Sequence, residues 1–298
     1  KNKDIELTSD IDFTNSSVAW TNIEYNGILN GNGYTIKNFQ SNNEINEINH
    51  NFITTLKGKV INVTLENIKL RIDTEAGGIC GVNKGEIQSI TINNGDIRGK
   101  GSKAGCIVGK NKGSIMYSTV KNSTIRKSGS EVGGIVGKNE GSLTYCTVKN
   151  SIIKGGRSRI GGISGDNWYK TKITNCSVQN SKIKGNNMVG EIVGLNQEFH
   201  TLKQSAHIEM KDHAQTKYCG RISDCYVIDC DIEVRDKKVG ENKYENIINE
   251  GTVEYYKTQN EEKIGGINSK INKDCNIVGC NVINNHIICT DKFGDIAG

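Results

Sequence analysis

The sequence predicts an all-β chain, a right-handed parallel β-helix of about ten rungs built on a repeat of ~28 residues. Three observations lead there. A glycine-rich segment starts at Gly77, Gly105, Gly133, Gly161 and Gly190, at spacings of 28, 28, 28 and 29, and returns at Gly265 and Gly294. The strand-like stretches between these segments align into columns of like residues. The 298 residues also include 35 glycines and 37 asparagines but no proline. Such a chain turns often while keeping every backbone N–H available to a strand ladder. Right-handedness follows from the rule for parallel crossovers.

The repeat divides the chain as one domain, 1–298. Residues 1–75 read as divergent N-terminal rungs and 76–196 as regular repeats. Residues 197–298 carry repeats interrupted by loops at about 197–220 and 236–263. In a solenoid, insertions project from one side. A shorter polar stretch, 41–50, also reads as a loop.

Within each repeat the apolar positions alternate with period two, which is the strand signature. One column holds Ile87, Ile115, Leu143, Ile173, Ile222 and Ile277, and a second holds Ile92, Val120, Val148, Val178, Val227 and Val282. A third holds Ile97, Ile125, Ile153, Ile183, Ile232 and Ile287, and the same frame extends upstream to Val60, Leu65 and Leu70. A single 28-residue turn cannot bury its own apolar face, whereas turns stacked ~4.8 Å apart can. Between these columns lie Asn94, Asn122, Asn150, Asn180, Asp229 and Asn284. Asparagine tolerates the left-handed corner, and stacked amides can bond one another, so these residues are the expected ladder.

The unit G-G-I-V-G-K-N-E-G-S-L-T-Y-C-T-V, Gly133 to Val148, resembles the GLUG repeat. The opening E-L-T-S-D-I-D-F, Trp20 and G-I-L-N-G-N-G-Y-T-I-K-N-F, Gly27 to Phe39, is similar to the segment that often precedes such repeats, with Asn30 where aspartate is common. The resemblance implies a β-helical module of the kind found in bacterial surface adhesins and in the β-helical part of secreted IgA-protease-like proteins. It therefore implies an extracellular or cell-surface location. It says little about function, which resides in sites grafted on a fold.

Cys146, Cys176, Cys225 and Cys280 share one inward column above Ser118 and read as small buried hydrophobes, as do Cys80 and Cys106. Cys219 and Cys275 precede the same strand in consecutive rungs and are the candidate disulfide. Cys230 and Cys289 have no assigned partner. Of four N-x-S/T sequons, Asn15 and Asn62 are the candidate glycosylation sites. Asn175 is the third, and Asn122 is expected to be inaccessible within the ladder.

His200, His207 and His213 fall in the first insertion, but their spacing matches no zinc template, so a polar loop is the reading there and no metal or cofactor is expected. Tyr244, Tyr255 and Tyr256 in the second insertion are candidate contact residues. The outward positions Thr91, Thr119, Thr147, Ser177 and Tyr226, and Lys121, Lys149 and Gln179, form no carboxylate column. No H-E-x-x-H, G-x-S-x-G or phosphate-loop motif occurs, and no catalytic residues are assigned. Net charge is +5, spread without a basic block, which is too dilute for a nucleic-acid footprint. Mean hydropathy is −0.51, and no apolar run approaches the ~18 residues of a membrane span.

These readings converge on a non-catalytic surface or extracellular module for structure or adhesion, binding a protein or glycan on a cell surface. The alternatives are a carbohydrate-active β-helix and a self-assembling filament subunit. The last rests on the unfinished coil at 294–298, which leaves a strand edge for end-to-end self-association.

Overall fold

The computed structural model describes residues 3–14, 16, 23–41, 51–71, 73–156, 159–168, 171–186, 189–196, 198–199, 218–219 and 221–234. Beyond these it describes the backbone of strands 245–249, 252–257, 263–265, 277–278, 281–283 and 286–289. All ordered elements are strands, and no helix occurs among the described residues. The chain winds as a parallel β-helix.

One coil shows how the repeat maps onto structure. Cys80–Asn83 lies in a ladder sheet and Glu86–Asn93 in a broad sheet. Asp96–Gly99 then enters a flank sheet and Lys103–Gly105 a short-strand sheet. Val108–Asn111 begins the next coil directly above Cys80–Asn83. Register is exact at the repeat: Ile92 pairs with Val120, Val120 with Val148 and Val148 with Val178. The broad sheet contains sixteen strands, and the other three contain seven each.

Among the described residues all four sides are present in six complete coils, with partial coils at both ends, against about ten rungs expected from the sequence. The difference arises because the described residues of the terminal segments supply some sides and not others. Residues 5–6 and 11–12 join only the broad sheet. The expected loop at 236–263 also differs in part. Thr252–Lys257 pairs antiparallel with Glu245–Asn249 and with Lys263–Gly265, extending the short-strand sheet. Lys263–Gly265 itself stacks parallel on Val189–Gly190. In the first insertion, Glu198–Phe199 pairs antiparallel with Tyr218–Cys219.

The core is aliphatic. Ile87, Ile92, Val120, Leu143, Val148, Ile173, Val178, Ile183 and Val227 are completely buried. At ~25 cal/mol per Å² of apolar surface, each such side chain stabilises by roughly 1.5–3 kcal/mol, but only if a coil covers it on both sides. Two bends shape every coil, each through one residue in the left-handed region. The first kinks the broad sheet at Asn62, Ser89, Tyr117, Tyr145, Asn175 and Asp224, with φ of 51–54°. The second turns from broad to flank sheet at Asn67, Asn94, Asn122, Asn150, Asn180 and Asp229. Asparagine and aspartate dominate because their short polar side chains make this conformation accessible.

Candidate functional site

The expected ladder column, from Asn94 through Asp229, stands at this second bend and is exposed. Its amides connect only in pieces. Asn94 Nδ2 donates to Asn67 Oδ1 at 2.8 Å and Asn150 Nδ2 to Asn122 Oδ1 at 3.4 Å, while Asn122 Nδ2 reaches out of the column to Asn93 Oδ1 at 3.0 Å. A single left-handed residue throws its side chain outward, so Asn122 is exposed rather than inaccessible. Asn284 lies outside the described residues.

The continuous ladder runs up the opposite corner. Asn83, Asn111, Asn139 and Asn167 are fully buried, and each of the first three donates Nδ2 to the Oδ1 above it, at 2.8, 2.9 and 2.8 Å. The Oδ1 atoms of Asn83, Asn111 and Asn139 accept the backbone N–H two residues on, at Gly85, Gly113 and Gly141. Each N-x-G unit is thus an Asx turn whose remaining hydrogen bonds go to its neighbours. The invariant Asn of G-x-N-x-G in successive repeats is the signal for this ladder.

Where the ladder and short-strand sheets meet, glycine lets two backbones touch. A Cβ on Gly109, Gly137 or Gly165 would lie 2.7, 2.5 or 2.4 Å from the backbone nitrogen of Ala76, Ala104 or Val132. Charged columns flank this contact. Lys103, Glu131 and Arg159 are register partners in one, and Lys110, Lys138 and Asp166 in the other. Arg159 Nη1 donates to Glu131 Oε1 at 2.9 Å and to Asp166 Oδ2 at 2.8 Å. Asp166 is fully buried and Glu131 is 8% exposed. Burial raises the Asp166 carboxyl to about 7; Glu131 adds to the shift and Arg159 opposes it. Lys138 Nζ sits 3.8 Å above the Trp168 ring and 3.1 Å from Glu140. This cluster holds a carboxyl that titrates near neutrality, but within the wall of the helix. The opposite charges at positions 131 and 159, one repeat apart, signal it in the sequence.

The outer surface offers other features. Tyr117 and Tyr145 stack with ring centroids 5.1 Å apart and an interplanar angle of 5°, and are 54% and 49% exposed. They stand beside the outward column Thr91, Thr119 and Thr147, which continues to Ser177, expected to face outward but buried. An open groove of about 560 Å³ runs along the corner near Asn26, Lys57, Lys59 and Glu86, where Lys59 and Glu86 pair at 3.0 Å.

The six described thiols, Cys80, Cys106, Cys146, Cys176, Cys225 and Cys230, are buried, and Cys80, Cys106, Cys146 and Cys176 form no disulfide. Burial pushes Cys106 and Cys230 up to about 12 and Cys176 well above the ordinary thiol range. Cys219 is described only through its backbone, and Cys275 lies outside the described residues, as do His200, His207, His213 and Asn15. Asn62 is exposed at a left-handed kink. Among the described residues no three His, Cys, Asp or Glu side chains gather as metal ligands.

Residues 128–153 match the GLUG motif. A solved structure from Bacteroides ovatus, assigned as a candidate immunoglobulin A1 protease, is similar at 16% identity and a TM-score of 0.53. The alignment covers 95% of this chain and 78% of that one. No curated protein matches the chain. The chain is thus a parallel β-helix that carries a GLUG motif at 128–153, and the likeness to the solved structure is one of fold.

Proposed function

We propose that the chain is a non-catalytic module of a secreted or surface-displayed protein, serving as a spacer that presents its outward columns to a protein or glycan partner. The observation that carries this reading is the combination of an aliphatic core with a fully buried amide ladder at one corner. Together they hold outward side chains such as Thr91, Thr119 and Thr147 in one straight row. A surface built this way recognises by repetition and needs no mobile part. The GLUG motif and the fold of the solved structure support the extracellular placement.

A second reading, a carbohydrate-active or proteolytic β-helix, draws on the Glu131–Arg159–Asp166 cluster and on the protease assignment of the solved structure. The full burial of Asp166 favours the first reading, because a catalytic acid must reach a substrate proton. The two separate in one assay. The chain is incubated with a panel of polysaccharides and with immunoglobulin A1, and both retention and product masses are read. Retention without new products supports the module; cleavage that disappears in Asp166→Asn establishes the enzyme instead.

A further inference from the structure

Lys and Arg that lie scattered along the sequence become neighbours once the coils stack. In the flank sheet, Arg71, Arg98, Arg126, Lys154 and Lys184 are direct register partners in five consecutive strands. Each is flanked along its strand by a buried core residue, as Arg126 is by Ile125 and by Lys127, whose ammonium turns inward to donate to Thr74 O at 2.7 Å. At ~4.8 Å per strand the five cations occupy roughly 19 Å of one straight line. Like charges directly opposite one another on adjacent strands destabilise a sheet.

At the lower end of the line Asp96 accepts from Arg71 at 3.1 Å and from Arg98 at 2.8 Å, and at the upper end Glu233 follows Lys184 in register. One coil higher the equivalent of Asp96 is Thr124, and above that Ile152. Arg126 and Lys154 are exposed and have no carboxylate within ion-pair distance among the described residues. Across the corner, Lys121 and Lys149 stack in the broad sheet, half-buried and likewise without a carboxylate within ion-pair distance among the described residues. Between the two cation columns stand the exposed amides of Asn122 and Asn150.

We propose that this strip, from Arg98 to Lys184 and including Lys121 and Lys149, binds a linear acidic polysaccharide lying along the helix axis. The inference rests on the reading of the chain as a binding module and names the ligand class. A guanidinium recognises carboxylate or sulfate groups bidentately, and ammonium groups add point charges. Exposed amides and the Thr124 hydroxyl are suited to sugar hydroxyls. An extended sugar chain carries its charges along one line, as the strip does. A nucleic acid is disfavoured because no aromatic side chain occupies these columns to stack on bases.

The test is binding of the full chain to heparin and to polygalacturonate, with neutral dextran and a single-stranded oligonucleotide as comparators. Expected is binding to at least one acidic polymer, not to dextran, that weakens from ~50 to ~300 mM salt. The double variant Arg126→Gln/Lys154→Gln should lose about tenfold in affinity. The double variant Lys57→Gln/Lys112→Gln, with the same change in charge on the opposite side, should lose no more than about twofold. Unchanged thermal melts confirm that both variants fold. Equal losses in the two variants, failure to bind either acidic polymer, or tighter binding of the oligonucleotide through Arg126 and Lys154 would each overturn the site. Cleavage of a bound polymer would overturn the non-catalytic reading and leave the site standing.

Discussion

Asn111 donates its side-chain amide to Asn139 Oδ1 at 2.9 Å, between two fully buried residues one repeat apart. Removing either partner strands a buried amide, which costs roughly 1–3 kcal/mol. Asn139→Ala should therefore lower the stability measured by urea unfolding by about that amount. Asn122→Ala, at an exposed corner, should cost less than about 1 kcal/mol. Equal effects at the two sites would contradict the assignment of the ladder to the buried column.

Glycine at the N-x-G corner is fixed by contact. A Cβ on Gly113 would lie 1.9 Å from Gly85 O, and one on Gly141 2.0 Å from Gly113 O. Neither neighbour is a flexible side-chain end, so the strands would have to separate. Gly113→Ala should destabilise by about 3 kcal/mol or more, or prevent folding. A variant with wild-type stability would show that the corners do not stack.

Much of this was legible in the sequence, and the reason is periodicity. Ile92, Val120 and Val148 recur at the repeat spacing because each must cover the one below, so reading down the columns recovers the core and the strand direction. The ladder was harder. Two asparagine columns share the period, and which one faces inward depends on whether the bend is an N-x-G turn or a single left-handed residue. Asn83 and Asn94 differ in that respect alone. The charge columns were missed for another reason. Arg98, Arg126 and Lys154 lie in unrelated local contexts, and net charge along the chain does not record what stacking brings together. The coil count fell from ten to six because a partial coil and a whole one leave similar apolar traces.

The Asp166 carboxyl is raised from 3.8 to about 7, chiefly by burial. Between those values the folded chain holds more protons than the unfolded one, so this group's contribution to stability falls as pH rises through the window. Below about 4 it is neutral in both states and the penalty is absent; above about 7 the penalty is complete. Asp166→Asn should accordingly gain stability relative to wild type as pH goes from about 4 to about 7, and the difference should level off above that. Thermal melts of both proteins across this range check it. A difference independent of pH would mean that Asp166 is ionised throughout.

The buried thiols should be inert in the folded state. Cys80, Cys106, Cys146, Cys176, Cys225 and Cys230 are each at most 1% exposed, and the thiolate is the reactive form. N-ethylmaleimide followed by peptide mapping should leave these six unmodified in buffer and modify all six in guanidinium. Rapid native labelling of Cys146 or Cys176 would place that column on the surface.

Vertical stacking is measured most directly between the exposed Lys59 and Arg221, which occupy one column through the successive partners Glu86, Ser114, Ser142 and Lys172. Spin labels on Lys59→Cys and Arg221→Cys, read by double electron–electron resonance, should give one distribution centred near ~24 Å, five strand spacings. A centre beyond ~40 Å, or a distribution without a maximum, would contradict the parallel in-register helix on which the faces, the ladder and the binding strip all depend.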